Sequence, residues 1–180
     1  FCLCNGTHAL LSQHLGDMEN LETLQAFEQA VEHYQRIFRV QPTIIAGDLH
    51  PGYLSSQWAQ RHAGAARFVT VQHHHAHLAA VMAEHGLDGQ TPVIGLCFDG
   101  TGYGTDGAIW GGEVLVGNYR GFRRMAHLRY TPLPGGDVSV KRPYRMALAH
   151  LWQAGVEWHA ALPAVAACPL LERNVLHHQF

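Results

Sequence analysis

Charge is scarce in this chain: Asp, Glu, Lys and Arg together make up 14% of it, against 47% apolar residues. Such a balance favours burial over solvation and excludes extended disorder. Lys and Arg number 12 against 14 Asp and Glu, so no basic surplus marks a nucleic-acid partner or a polybasic membrane segment. No apolar run is long enough to cross a bilayer, and no membrane partner is expected. The four cysteines include no CxxC pair, so a zinc ribbon is unsupported. Cys2 and Cys4 form a C-x-C on one strand face, and Cys97 lies in an apolar strand and reads as core. This usage fits a reducing compartment, with the cytoplasm as the default location. A signal peptide and an initiator methionine are both lacking, and the opening Phe1-Cys2-Leu3-Cys4 is already strand-like. That is the expectation for a segment of a longer polypeptide. At 180 residues there is room for one domain or two small lobes.

Histidine, by contrast, is abundant, and it is concentrated. Four of the 15 fall within Val71-Gln72-His73-His74-His75-Ala76-His77-Leu78. A β-branched run, Phe68-Val69-Thr70-Val71, leads in, and Leu78, Val81 and Met82 follow at helical spacing until Gly86. The cluster is therefore predicted where a strand ends and a helix begins, the place where open α/β sheets collect ligands. His73 and His77 are four apart, share a helix face and can chelate one divalent ion. His74 and His75 are expected to point elsewhere. A metalloprotease helix would carry Glu after its first histidine, and His74 stands there instead. Two imidazoles are fewer than the three protein ligands usual in a catalytic site, so a third ligand must come from another element.

Before this cluster, the turn signal Asn5-Gly6 predicts a hairpin with a return strand over residues 7–15. Leu21, Leu24, Phe27, Val31, Tyr34 and Phe38 lay one apolar stripe along a helix, with Asp17 and Asn20 as caps. Thr43-Ile44-Ile45-Ala46 reads as a strand buried on both faces. It runs into Gly47-Asp48-Leu49-His50-Pro51-Gly52, where Asp48 and His50 are the candidates for catalytic roles. A helix over 53–62 precedes the next strand. Residues 1–87 thus alternate as β-β-α-β-α-β-α, the order of a ribonuclease-H-like α/β lobe without its first strand.

After a polar link at 88–92, residues 92–180 read as the start of a second lobe. Its strand over 93–98 is followed by Asp99-Gly100-Thr101-Gly102-Tyr103-Gly104 and a returning strand after Trp110. A glycine turn lets backbone N–H groups close around phosphate oxygens, and Asp99 can serve a metal. No GK[ST] follows, and a strand rather than a helix comes next, so neither a Walker loop nor a dinucleotide fingerprint is present.

Taken together, VQHHHAHLAA, GLCFDGTGYGTDGAIWGGE, HLRYTPLPGGD, KRPYRMA, AGDLHPGYLSS and SQHLGDMENL closely resemble the C-terminal domain of the HypF carbamoyltransferases of [NiFe]-hydrogenase maturation. More distant relatives are the O-carbamoyltransferases and the tRNA threonylcarbamoyl-type transferases. The resemblance implies the two-lobed sugar-kinase/actin/Hsp70 (ASKHA) class. It implies an ATP-dependent use of carbamoyl phosphate through carbamoyl-adenylate, and transfer of the carbamoyl group to the C-terminal cysteine of a HypE-like acceptor protein. It further implies a divalent metal on His73 and His77; neutral imidazoles suit zinc or iron, and Asp99 is our choice for a further ligand. Nucleotide contacts are implied at Asp99, Gly100, Thr101, Gly102 and Tyr103. The family's acylphosphatase, zinc-finger and adenylate-forming modules have no counterpart in these residues, so the chain alone is not expected to complete the reaction. Two rival classes are a metallohydrolase, which requires a water-activating carboxylate beside His73, and a non-catalytic nucleotide-binding lobe.

Overall fold

A computed structural model describes residues 1–180. β1 (Cys2–Asn5) and β2 (His8–Leu11) form an antiparallel hairpin. Asn5 pairs with His8, so the two-residue loop is Gly6-Thr7, one position later than the Asn-Gly signal suggests. Gly6 has φ +58° at the first loop position, where such a turn needs glycine. The return strand stops at Leu11 and not at residue 15. α1 (Leu21–Phe38) begins under a cap from Asn20, whose side chain accepts the Thr23 N–H at 2.8 Å. It ends at Arg39, which adopts the left-handed conformation.

β3 (Ile44–Asp48) and β4 (Arg67–Val71) pair in parallel, with α2 (Leu54–His62) as the crossover, as the alternating pattern requires. α3 (His73–Glu84) leaves the end of β4 directly, and Gly86 follows it at φ +64°. β5 (Val93–Tyr103), β6 (Ile109–Asn118) and β7 (Gly121–His127) make one antiparallel sheet in that order. The remaining residues form α4 (Val138–Lys141), α5 (Tyr144–Gln153), α6 (Pro163–Ala167) and α7 (Leu170–Gln179).

Burial of β3 departs from expectation. Ile44 is 58% exposed, so this strand is not covered on both faces. The pairs β1–β2 and β3–β4 are separate two-stranded sheets. Residues 1–6 and 43–48 line one concavity of about 1430 Å3 with Val31 and Trp58, so the unpaired sides of β1 and β3 open onto the same apolar space.

Two cores are present. Leu78 and Met82 of α3 pack on Cys97, Trp110 and Leu115 of β5 and β6. Gly95 permits that approach, because a Cβ there would lie 2.7 Å from Leu78 Cδ1. Leu148, Val165, Cys168 and Leu176 form the other core. The chain accordingly falls into two compact units, Phe1–His127 and Leu128–Phe180. The 88–92 link lies inside the first unit, since α3 packs across it onto β5 and β6.

Candidate metal centre

Three elements deliver the site. Asp48 ends β3 and is in register with Val71 at the end of β4, one residue before the Gln72 cap of α3. That places the Asp48 carboxylate beside the first helical residue, His73. Asp99 comes from β5, which α3 packs against.

The distances are those of a chelating set. His73 Nε2 and His77 Nε2 lie 3.1 Å apart, as expected from one helical turn. Asp99 Oδ2 lies 2.8 Å from His73 Nε2 and 3.7 Å from His77 Nε2. A tetrahedral zinc ion with bonds of about 2.0–2.1 Å holds its ligand atoms about 3.3 Å apart, and these separations bracket that spacing. Asp99 Oδ2 is buried without a hydrogen-bond donor, which is the environment a cation completes. The residues therefore fit a divalent metal: His73, His77 and Asp99 form the only such group in the chain. The His77 side chain is 57% exposed, which leaves one side open for a non-protein ligand.

Asp48 has a different position from that of a free base. His73 Nδ1 donates to its Oδ2 at 3.1 Å, and its Oδ1 accepts the His50 N–H at 2.7 Å. Both oxygens are engaged, and the first fixes His73 with its Nε2 lone pair toward Asp99 and His77. His50 is turned toward aromatic neighbours. Its ring stacks on Tyr53 at 4.2 Å and meets Tyr103 edge-on at 5.0 Å, while Nδ1 accepts the Gly52 N–H.

His74 corrects the sequence reading, which turned it away from the site. It is fully buried, and its Nε2 faces Asp99 Oδ2 at 3.7 Å. Burial pushes its pKa below the ordinary imidazole value, against the opposing charge of Asp99. His75 does leave the site: Nε2–H donates to Asn118 O at 2.7 Å and the ring packs on Phe122.

The Asp99–Tyr103 stretch also differs from the expected free turn. β5 continues through it to Tyr103, with a register shift against β6 between Phe98 and Gly102. Gly100 and Thr101 are exposed, and the Gly100 N–H donates to Asp99 Oδ1 at 2.6 Å. A Cβ on Gly100 would meet nothing within 4 Å, whereas one on Gly102 would lie 2.5 Å from His74 Cε1. Of these two glycines, Gly100 leaves backbone open to a ligand and Gly102 makes room for the imidazole. Beyond them, buried Glu113 accepts from Arg124, which lies 4.1 Å over the Trp110 ring. Arg124 is thus part of the sheet's packing.

Sequence reasoning missed Gln72 and His74. Glutamine is not a favoured N-cap, and the burial of His74 depends on Gly102 and Trp110 of another sheet.

An α/β domain with a candidate metal site at a strand–helix junction is the class that comparison with known proteins resolves. Residues 1–84 match the family described as the HypF Kae1-like domain. Residues 95–179 match the family described as carbamoyltransferase, Kae1-like domain, second subdomain. Carbamoyltransferase HypF2 of Cupriavidus necator is 44% identical over 176 residues, spanning 96% of this chain and 22% of that protein. Carbamoyltransferase HypF of Synechocystis sp. is 47% identical over 144 residues, spanning 80% of this chain and 18% of that protein. A crystal structure of full-length HypF in the phosphate- and nucleotide-bound form aligns with TM-score 0.85 at 40% identity, over 99% of this chain and 23% of that one. The chain belongs to the Kae1-like C-terminal region of the HypF carbamoyltransferase family. It spans about a fifth of the length of these curated relatives.

Proposed function

We propose that this chain is the carbamoyl-handling part of an enzyme that uses carbamoyl phosphate and ATP, through carbamoyl-adenylate, to carbamoylate the C-terminal cysteine of a HypE-like acceptor. The observation that carries this reading is the convergence of His73, His77 and Asp99 next to the exposed backbone of Gly100 and Thr101. The nucleotide-bound form of the full-length relative supports use of a nucleotide by the enzyme as a whole. A divalent ion, zinc or iron by its imidazole and carboxylate donors, supplies a Lewis acid when bound. His73 and His77 hold that ion, and Asp48 keeps the His73 proton on Nδ1. The Gly100 amide is taken by Asp99 Oδ1, so Thr101 is the backbone amide offered to phosphate oxygens, with Gly100 leaving room for their approach and Tyr103, beside His50, walling it. His50 remains a candidate for moving the acceptor's proton. Asp48, with both oxygens engaged, is a positioning group.

Two rivals are less well supported. A hydrolase needs a free carboxylate beside His73, and Asp48 is committed elsewhere. A non-catalytic lobe has no use for Asp99 facing the histidine pair. At the level of fold, the proposed assignment is a ribonuclease-H-like lobe of the ASKHA class at 1–87, with a second lobe starting at 92. The apolar space between the open sides of β1 and β3 suits one further strand. The family boundary between residues 84 and 95 agrees with a division there. No helix is long and apolar enough to cross a membrane, and four free thiols suit a cytoplasmic setting.

Binding of a non-hydrolysable adenylate analogue tests the proposal. Gly100→Val is expected to weaken it about tenfold or more while metal content stays at the wild-type level. Equal nucleotide affinity in wild type and Gly100→Val would remove the assigned cradle.

A further inference from the structure

We infer that His74 is a fixed hydrogen-bond donor for the Asp99 carboxylate, with its tautomer set by Gln72, and that it is not itself a metal ligand. The inference rests on the reading of His73, His77 and Asp99 as one metal site.

The chain of contacts begins at the helix cap. Gln72 Oε1 accepts the His75 N–H at 2.9 Å, so the amide orientation is dictated by α3 itself. Its NH2 group then faces His74 Nδ1 at 3.0 Å and the Tyr103 carbonyl at 3.3 Å. Rotating the amide by half a turn would set NH2 against a backbone N–H and oxygen against a carbonyl oxygen, and would lose the cap. An amide NH2 only donates. Nδ1 of His74 is therefore an acceptor without a proton of its own, which leaves the ring's N–H on Nε2.

That Nε2 is aimed at the site. It is buried without a partner, and so is Asp99 Oδ2, 3.7 Å away. A buried donor and a buried acceptor that face each other a few tenths of an ångström beyond hydrogen-bond reach are a matched pair. The ring has little freedom to turn elsewhere. His74 is fully buried, its ring crowds Gly102 and tilts against Trp110 at 5.8 Å, and the Cys97 thiol reaches its carbonyl at 3.6 Å. Asp99 is held on its other side, because Oδ1 accepts the Gly100 N–H. With Oδ1 held by Gly100, closure of the His74 Nε2–H onto Oδ2 would fix the carboxylate with Oδ2 toward His73 and His77. With its Nε2 lone pair taken by the proton, His74 has nothing to give a metal. Two histidines separated by one residue number thus do opposite work: His73 offers a lone pair and His74 offers a proton.

The test uses the purified chain and Co(II) alone as probe, with imidazole 1H–15N correlation spectra as a readout independent of activity. Wild-type His74 is expected to be the Nε2–H tautomer, and its nitrogens stay unligated when one Co(II) binds. His74→Met removes the donor and is expected to lower Co(II) affinity about tenfold or more at unchanged 1:1 stoichiometry. His74→Gln places an amide NH2 near the lost Nε2–H and is expected to recover most of that affinity. An Nδ1–H tautomer in wild type, ligation of His74 by cobalt, or wild-type affinity in His74→Met would each overturn the inference. Failure of the underlying site reads differently: His73→Ala would then bind Co(II) as wild type does, whatever the His74 tautomer.

Discussion

At the scale of single residues, the site is a set of proton assignments as much as a set of distances. His73 is useful to a metal because Asp48 takes its Nδ1–H, so removing that carboxylate frees the ring to turn or to change tautomer. Asp48→Ala is expected to cost 10- to 100-fold in Co(II) affinity with little loss of fold stability, by metal titration beside thermal unfolding. An unchanged affinity would return Asp48 to the role of a free carboxylate. Gly102 is a packing residue by the same geometry. Gly102→Ala drives a Cβ to 2.5 Å from His74 Cε1, and overpacking of this kind typically costs about 1–3 kcal/mol. Denaturant unfolding checks this, and an unperturbed midpoint would show that the imidazole can yield. The pairing of His73 with His77 was legible from spacing alone, because a helix repeats its face every four residues. The place of His74 was not, since its surroundings come from residues some thirty positions later in the chain.

At the scale of elements, the strand–helix junction does most of the positioning. β4 ends, Gln72 caps, and α3 starts with its first two imidazoles facing β5. The seat of α3 on β5 and β6 is Leu78 and Met82 over Gly95 and Leu115. Met82→Ala, at a side chain only 1% exposed, is expected to destabilise unit 1–127 by about 2–5 kcal/mol. Because the helix carries two of the proposed ligands, its Co(II) affinity should fall together with its melting temperature. Loss of one without the other would uncouple seat from site. Element existence was readable from periodicity and from Gly6, Asn20 and Gly86. Extent was less so: β2 is shorter and β5 longer than the pattern suggested, since pairing and not local propensity decides where a strand stops. The exposure of Ile44 has the same origin, for burial of a strand depends on its neighbours in the sheet.

At the scale of the whole molecule, the two compact units can be followed separately, and the second has an electrostatic anchor. In residues 128–180 that anchor is Glu172. Burial pushes its carboxyl up, but hydrogen bonds from Tyr144 and Arg145 and the charges of Arg145 and Arg142 outweigh it and hold the group below the usual carboxylate value. A value lower in the folded state than in the unfolded means that the unfolded chain binds the proton first. The contribution is therefore complete above about pH 4.3 and fades as pH falls through the folded value. Acid unfolding of this unit, followed by the fluorescence of Trp152 and Trp158, is expected to lose this pH dependence in Glu172→Gln. Persistence of the same pH profile would place the acid sensitivity elsewhere.

The central claim is that α3 and β5 together make one metal site. Metal analysis of the purified chain after equilibration with zinc tests it most directly, with His73→Ala, His77→Ala and Asp99→Ala beside wild type. One ion per wild-type chain and a loss of stoichiometric binding in all three variants is the predicted result. Full metal content in the histidine variants would contradict it.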